Sequence, residues 1–224
     1  MLQKGLLLPS SSAPSPASAK PSIAVFDMGG VLIDWNPRHL YRKLIADPVE
    51  MERFLAGVTT SAWHVAQDHG GDPIEATRRL KAEHPGKEAL IEAFYDRFDE
   101  MLDHSFPEMA ALVERLHAAG TPLYLLSNAP GFLDAWLRGP ARRRHPFLRH
   151  FRDYVVSGLV RCSKPDAAIY GLVCRTGGFR PGDAVLIDDN LPNVEGARAF
   201  GMHAIHHRST DETVAGLQAL GLPA

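Results

Sequence analysis

The sequence predicts an α/β protein with a Rossmann-like, doubly wound parallel sheet and an inserted all-helical cap domain. Three short apolar segments that end in polar residues predict buried parallel strands, because a strand covered on both faces is apolar throughout. Helical patterns follow these segments, and strands that alternate with helices are typical of a doubly wound sheet. A long block without strand patterns follows the first strand and predicts the inserted domain.

Five segments are predicted as strands of this sheet. Residues 22–28, SIAVFDM, form a short apolar run that ends beside an acid and is stopped by two glycines. Residues 122–128, PLYLLSN, and 183–190, DAVLIDDN, have the same form, which is typical of central parallel strands. Residues 153–158 and 202–207 are weaker apolar runs and predict the two remaining strands.

The segments between the later strands have the period of a helix. Apolar residues recur there at i, i+3, i+4 and i+7, the spacing of one helix face. The clearest example, residues 109–116, ends shortly before Gly120, and similar patterns end before Gly177 and Gly201. Glycine is common just beyond the last turn of a helix, so these positions predict three helix ends.

The block from about residue 37 to residue 104 shows no convincing strand pattern. Its apolar residues recur at helical spacing, and the last segment places Leu90, Phe94 and Phe98 on one side. The block therefore predicts a small all-helical domain. Its helices are predicted at residues 37–46, 48–57, 73–83 and 87–102.

The chain thus divides into three predicted parts. Residues 1–21 are rich in proline, serine and alanine, and we expect a disordered tail because they cannot bury enough apolar surface to offset their ordering entropy. Their short apolar run is also cut off before it reaches the length of a signal peptide. Residues 22–34 and 105–224 are predicted to form the α/β core, and residues 35–104 the helical cap.

Composition and charge exclude several classes of function. The chain has 224 residues, a formal net charge of −2 and a pI near 6.6, which give no general attraction to nucleic acids or anionic membranes. Its basic segment, residues 138–152, is interpreted as a solvated loop. The two cysteines lie outside any CxxC pattern, and no apolar run reaches the roughly 18 residues that span a bilayer. We expect a cytoplasmic protein whose partner is a small molecule.

Polar residues stand at the carboxyl ends of the three best strands. They are Asp27 on the first strand, Ser127 and Asn128 on the second, and the pair Asp188 and Asp189 on the third. Ligands of open parallel sheets bind at this edge, so we expect these side chains to meet there. Carboxylates suit Mg²⁺, and hydroxyl and N–H groups suit phosphoryl oxygens. The pattern predicts a site for a divalent cation and a phosphate.

Four motifs in order resemble those of the haloacid dehalogenase superfamily. They are FDMGGVL with Asp27, LLSNA with Ser127, SKPD with Lys164, and LIDDN with Asp188 and Asp189. The resemblance covers most of the chain after residue 21, and the helical block stands where subfamily IA-like members insert a C1-type cap. Each motif alone is weak, but the four together are specific.

This resemblance implies a role for each matching residue. It makes Asp27 a nucleophile that forms an aspartyl-phosphate, and it assigns Mg²⁺ to Asp27, the backbone carbonyl of Gly29, Asp188 and Asp189. Lys164 would neutralise charge as the new bond forms and would bind the phosphate together with the polar end of the second strand. The expected activity is Mg²⁺-dependent hydrolysis of a small phosphomonoester.

Gly29 departs from the usual pattern. Superfamily phosphatases usually carry an aspartate two residues after the nucleophile, which protonates the leaving oxygen and later activates water. The chain instead resembles a subgroup with DxGG or DxGN in this motif, some of whose members act on sugar phosphates. We expect Asp68 or His69, in the segment 61–73, to contribute to the substrate pocket and to replace the missing acid; Asp34 is a further candidate, or the boundary of the first cap helix.

Two alternative functions remain open from the sequence. A metal-independent 2-haloacid dehalogenase would also lack the second acid, but it would leave the acids of LIDDN without a cation to neutralise them. A non-catalytic binding protein with the same fold could have lost turnover through Gly29. The acids, the serine and the lysine of the four motifs favour the phosphatase over both.

Overall fold

A five-stranded parallel sheet lies at the centre of the fold, which a computed structural model describes for residues 20–224. The tail predicted at residues 1–21 lies almost wholly outside the described residues. All five predicted strands are present, and every neighbouring pair is parallel. In the order across the sheet they are β5 (Phe151–Val156), β4 (Leu123–Ser127), β1 (Ile23–Phe26), β6 (Ala184–Asp188) and β7 (His203–His206).

Helices cover both faces of this sheet. Alternate residues of β1 enter different cores: Val25 packs in one apolar cluster and Phe26 in the other. Both side chains are fully buried, which explains why the strand is apolar throughout. The helices of the core are α6 (Pro107–Ala118), α7 (Leu133–Arg138), α8 (Ala141–Arg144), α9 (Ser157–Val160), α10 (Ala167–Gly177), α11 (Leu191–Phe200) and α12 (Thr210–Ala219).

The strand order places the switch point of the winding at β1. The chain passes from β1 to β4 and β5 on one side, and later to β6 and β7 on the other. The carboxyl ends of β1, β4 and β6 therefore lie next to one another, where open α/β sheets bind ligands. The three predicted helix ends are also present, with Gly178 rather than Gly177 in the left-handed conformation after α10.

Five helices occupy the segment for which a helical cap is predicted. One of them, Ser61–Asp68, lies in a stretch that the sequence did not indicate as helical, and the predicted first helix is shorter than expected. None of the helices in the described chain is long and apolar enough to cross a membrane. The five are α1 (Pro37–Tyr41), α2 (Pro48–Gly57), α3 (Ser61–Asp68), α4 (Pro73–Glu83) and α5 (Glu88–Asp96).

A two-stranded antiparallel sheet flanks this helical segment. β2 (Ile33–Trp35) pairs with β3 (Leu102–Ser105), so the prediction of no strand between residues 37 and 104 is wrong at its end. The helix predicted for residues 87–102 ends at Asp96 and is followed by a 3-10 turn at Phe98–Met101. Strands this short show no alternation in the sequence, and the partner of each is distant along the chain.

The basic segment, residues 138–152, is also different from the prediction. It forms α8 and a 3-10 turn at Pro146–His150 rather than a loop. Arg138 pairs with Asp153 at 2.7 Å, and Arg144 donates a hydrogen bond to a backbone carbonyl of residue 103 at 2.6 Å. Arg138 and Arg144 thus bind groups of the protein itself.

Candidate active site

The polar residues predicted at the strand ends come together at one edge of the sheet. Asp27 directly follows β1, Ser127 ends β4, and Asp188 ends β6. Lys164 reaches them from the loop before α10 and is buried, with only 3% of its surface exposed. Residues far apart in the chain thus form one site because the strands that carry them are parallel neighbours.

Lys164 connects the nucleophile candidate to the acid pair. Its Nζ lies 3.0 Å from Oδ1 of Asp27 and 2.6 Å from Oδ2 of Asp188, and it donates to the backbone carbonyl of Leu126 at 2.8 Å. Burial opposes the charge of Lys164, but the two carboxylates raise its pKa above the usual range. An ammonium group has three donors, and these three oxygens occupy all of them.

Asp188 is held by the protein on both of its oxygens. Oδ2 pairs with Lys164, whereas Oδ1 accepts hydrogen bonds from the backbone N–H of Asn190 at 2.9 Å and from Nδ2 of Asn193 at 3.0 Å. The side chain is fully buried. Asp189 is exposed by comparison and lines the adjacent cavity, so it presents its carboxylate to a ligand more openly.

The three acids fit a divalent cation. Oxygens of Asp27, Asp188 and Asp189 lie within 4.8 Å of one another, and Lys164 neutralises only one of the three charges. Burial raises the pKa of Asp27 to about 7, with the neighbouring acids adding to the effect and Lys164 opposing it. Burial and Asp188 likewise raise the pKa of Asp189. Hard oxygen ligands and excess negative charge are the donor set that Mg²⁺ prefers.

Two of the predicted phosphate ligands differ in how they are engaged. Ser127 is buried and lines the cavity above Asp27. The amide of Asn128 instead forms a pair of hydrogen bonds with the backbone of Lys164, each 2.9 Å long. The Asn128 side chain therefore fixes the lysine loop through its oxygen and one of its two N–H donors.

Helix α3 brings an acid into the site from the helical segment. Asp68 is buried and lines the cavity together with Asp27, and its Oδ1 lacks a hydrogen-bond partner among the described residues. Burial raises the pKa of Asp68 to about 7, and the charge of Asp27 adds to the effect. His69 is exposed and lines an adjoining cavity that also borders Asp27, Asp68 and Lys164, so the two candidates in this segment differ in burial.

A hydrogen bond from the core fixes the end of this helix. The Ser157 hydroxyl donates to the backbone carbonyl of Asp68 and accepts a hydrogen bond from the backbone N–H of Ala129 at 3.0 Å. Ala129 lies two residues beyond Ser127, so the contact ties Asp68 to the loop after β4. Asp34 does not take part: it lies in β2 and pairs with His39 at 2.8 Å.

The cavity over Asp27 encloses about 290 Å³. One end is formed by Asp27, Gly29 and the other strand-end residues. The rest of the lining is mainly apolar; three of its residues belong to the segment 61–73 or to the motif LLSNA, and the sequence did not indicate the others because no motif marks them. This part of the lining includes Trp35, His64, Val65, Phe98, Ala129, Pro130 and Leu133.

A scan against protein-family models decides the family. The model of haloacid dehalogenase-like hydrolases matches residues 21–201, which is most of the chain. The chain belongs to the haloacid dehalogenase-like hydrolases. It is therefore a hydrolase, as the four motifs predict.

A phosphatase and a solved haloacid dehalogenase family enzyme are similar to this hydrolase. A sesquiterpene phosphatase of Aspergillus oryzae is 27% identical over 187 residues, which cover 82% of this chain and 88% of the relative. A solved haloacid dehalogenase family enzyme of Bacteroides thetaiotaomicron, in complex with magnesium and inorganic phosphate, is 22% identical with a TM-score of 0.60 and covers 83% of this chain and 93% of its own.

The structural similarity extends to an enzyme with different chemistry. The L-2-haloacid dehalogenase of Xanthobacter autotrophicus has a TM-score of 0.57 and 18% identity, over 91% of this chain and 84% of its own. The fold of this hydrolase is therefore shared by both reaction classes. Only the side chains at the strand ends can distinguish between them.

Gly30 makes close contact with the acid pair of this hydrolase. Its φ of +73° is left-handed, and a Cβ built there would lie 2.4 Å from Oδ2 of Asp189. If Asp189 holds Mg²⁺ as the motifs imply, Gly30→Ala should displace that carboxylate and raise the Mg²⁺ concentration for half-maximal activity at least about tenfold, since misplacing a metal ligand weakens binding strongly. Isothermal titration with Mg²⁺ measures the change directly.

Gly86 provides the matched control for this prediction. Its φ of +84° imposes the same backbone strain on an alanine, but a Cβ there would meet nothing within 4 Å. Gly86→Ala should lose stability without losing affinity for Mg²⁺. Equal affinity in the two variants would contradict a role for Gly30 in shaping the metal site.

Proposed function

We propose that this chain is a Mg²⁺-dependent phosphomonoester hydrolase that acts on a small phosphorylated metabolite through an aspartyl-phosphate. The observation that carries the proposal is the cluster of Asp27, Asp188 and Asp189 around the buried Lys164. Its surplus of negative charge suits a cation and a phosphate rather than a neutral substrate. The similarity to a phosphatase of Aspergillus oryzae supports the same chemistry.

In the first step the Asp27 carboxylate attacks phosphorus. A new bond forms between Asp27 and the phosphorus atom, and the bond from phosphorus to the leaving oxygen breaks. The Ser127 hydroxyl stabilises the phosphoryl oxygens by hydrogen bonding, and Lys164, whose three donors are engaged by the protein, does so through its positive charge. Asp68 in its protonated form gives its proton to the leaving oxygen. A divalent cation held by Asp27, Asp188 and Asp189 would supply the positive charge that lets a carboxylate approach a phosphate dianion.

In the second step the aspartyl-phosphate is hydrolysed. Asp68, now ionised, takes a proton from a water molecule whose oxygen attacks phosphorus. The bond from phosphorus to the Asp27 oxygen breaks, which releases inorganic phosphate and regenerates the Asp27 carboxylate. Asp68 thus gives one proton to the leaving alcohol and takes another from the attacking water, and in superfamily phosphatases the acid at the position of Gly29 has this double role.

We further propose that residues 35–104 act as the substrate cap. Helices α3 and α5 with the following turn belong to this segment, and they supply Asp68 and Phe98 to the cavity over Asp27. A cap that carries a proton donor couples substrate enclosure to proton transfer. The order of the segment, between β2 and β3, agrees with a cap inserted after the first strand of the core.

The competing functions fit these groups less well. A metal-independent dehalogenase would need the Asp27 carboxylate to act beside two further acids with only Lys164 to balance them, which is costly in a buried site. A binding protein would have no use for a buried, ionised nucleophile candidate paired with a lysine. Neither alternative gives a role to Asp68.

The proposal is tested by measuring phosphate and halide release in parallel. With p-nitrophenyl phosphate and short alkyl phosphates we expect phosphate release that stops after EDTA treatment and returns when Mg²⁺ is added. A panel of 2-haloacids should release no halide under the same conditions. Halide release that is insensitive to EDTA, or an absence of turnover on every phosphate ester, would overturn it.

A further inference from the structure

The cavity over Asp27 has two chemically different ends. Asp27, Asp189 and the glycines after the nucleophile form the end that meets the phosphoryl group. The rest of the cavity lining is mainly apolar, and its large side chains are Trp35, Phe98 and Leu133. A phosphate ester placed with phosphorus near Asp27 would therefore direct its alcohol portion into apolar surroundings.

The aromatic part of this wall is rigidly packed. The ring of His64 stacks on Trp35 with centroids 5.2 Å apart and an interplanar angle of 16°. Phe98 contacts Phe132 edge to face at 5.4 Å and stacks on Tyr95 at 6.3 Å. Rings packed against one another in this way resist rotation, so they keep the shape of the pocket and its apolar surface.

The cavity lining offers few groups to the hydroxyls of a sugar: besides those described next, they are the Ser61 hydroxyl and the Trp35 indole N–H, which is buried and has no hydrogen-bond partner among the described residues. Burial lowers the pKa of His64 to about 4, so its ring is neutral, and Nδ1 lies 3.3 Å from the Tyr95 hydroxyl. The amide of Asn128 is bound to the backbone of Lys164. Asp68 lies where the leaving oxygen departs. A sugar would therefore bury several hydroxyls without partners, each of which costs binding free energy.

We propose that the leaving group of this enzyme is a compact apolar alcohol, so that the substrate is the monophosphate of a hydrocarbon or aromatic alcohol. The inference rests on the proposed phosphatase function and narrows its substrate. It replaces the sugar phosphate that the glycine pattern after Asp27 predicts. A cavity of about 290 Å³ stands at the lower limit of the usual range for small-molecule sites, which favours a small ring or a short chain.

Two esters of the same shape test the proposal with the wild-type enzyme. Glucose 6-phosphate and cyclohexylmethyl phosphate both present a six-membered ring on a CH2–O–phosphate group, but only the first carries hydroxyls. We expect kcat/KM to be at least about 100-fold higher for cyclohexylmethyl phosphate, as expected if several hydroxyls lose their partners. In a series of butyl, pentyl and hexyl phosphates, kcat/KM should rise roughly fourfold per added CH2 until the pocket is filled.

A variant at the rim of the pocket provides the second test. Val65 lines the cavity and is 43% exposed, so Val65→Thr changes polarity at nearly constant shape with little risk to folding. It should lower kcat/KM for hexyl phosphate about fivefold and leave glucose 6-phosphate unchanged, since removing apolar contact affects only the apolar ester. Val49→Thr, on the exposed face of α2, is the matched control and should change neither.

The outcomes separate this inference from the function on which it rests. Equal or better turnover of glucose 6-phosphate, or an alkyl series without a slope, would overturn the apolar leaving group while leaving the phosphatase intact. An absence of phosphate release from every ester, including p-nitrophenyl phosphate, would overturn both.

Discussion

Asp27→Asn is expected to lower kcat for phosphate release by roughly 10⁴–10⁶-fold, the scale of loss when an enzyme loses its nucleophile. Asn has nearly the same shape as Asp, but its neutral amide cannot attack phosphorus to form an aspartyl-phosphate. The variant also removes one acid from the candidate metal cluster and the partner of Lys164 at 3.0 Å. Steady-state assays with p-nitrophenyl phosphate and Mg²⁺ measure the loss.

A trapping experiment separates the nucleophile from a metal ligand. Acid quenching during turnover of a ³²P-labelled ester should leave label on the wild-type protein and none on Asp27→Asn. Asp211→Asn is the matched control, because Asp211 is exposed on α12, and it should retain both label and activity. Turnover of p-nitrophenyl phosphate by Asp27→Asn at the parent rate would contradict the nucleophile assignment.

The sequence predicts the phosphoryl end of the site because that end is built from local signals. Each short apolar strand ends in its own polar residue, and parallel strands bring those ends together whatever the rest of the chain does. The sequence alone therefore predicts that Asp27, Asp188 and Lys164 meet at one edge of the sheet. Gly30 is also part of a local motif, and its left-handed φ lets the Asp189 side chain approach the backbone.

The leaving-group end was not predictable in the same way. Trp35 borders Gly29 locally, but Phe98 becomes a neighbour of the site after β2 pairs with β3 across the whole helical segment. That pairing is non-local and involves strands too short to show alternation. Asn128 illustrates the same limit: its residue type indicated a phosphate ligand, whereas its amide is used to hold the backbone of Lys164.

The second large effect is expected at Asp68. Asp68→Asn should lower kcat/KM for hexyl phosphate by about 10²–10⁴-fold, the usual contribution of general acid catalysis. The loss in the first step should be much smaller for p-nitrophenyl phosphate, whose leaving group needs little protonation. That ester should instead give a burst of about one equivalent of p-nitrophenol followed by slow turnover, because the second step still lacks its base.

The pH profile identifies the proton donor. Burial and the charge of Asp27 raise the pKa of Asp68 to about 7. The other ionisable groups beside Asp68 are His64, whose Nε2 lies 3.6 Å from Oδ1 of Asp68 and whose ring is neutral, and Asp189 and Lys164, which line the adjoining cavity. The protonated form is present below that pKa, so wild-type kcat/KM for hexyl phosphate should fall as the pH rises through about 7. Asp68→Asn should lose this descending limb and keep the ionisations of the substrate and of Asp27, whose pKa burial raises to about 7 and whose carboxylate must be charged to attack.

A stability measurement follows from the same shift. The folded-state pKa of Asp68 is raised above its unfolded value, so its contribution to stability is present at low pH and declines as the pH rises towards 7. Asp68→Asn has no such titration, and its Tm relative to wild type should increase from pH 4 to pH 7. A Tm difference that does not change with pH would contradict the buried, protonated state.

Gly29 allows the missing acid to be restored in the usual position. A Cβ on Gly29 would meet only the Cβ of Trp35, at 3.5 Å, which is an ordinary contact, so the backbone there accepts a side chain. Gly29→Asp in the Asp68→Asn background should recover at least about tenfold of the lost kcat/KM for hexyl phosphate, because either carboxyl group can serve the leaving oxygen. Unchanged turnover of that ester by Asp68→Asn alone would show that proton transfer does not depend on Asp68. Recovery by Gly29→Asp would show that the helical segment supplies what the first motif lacks.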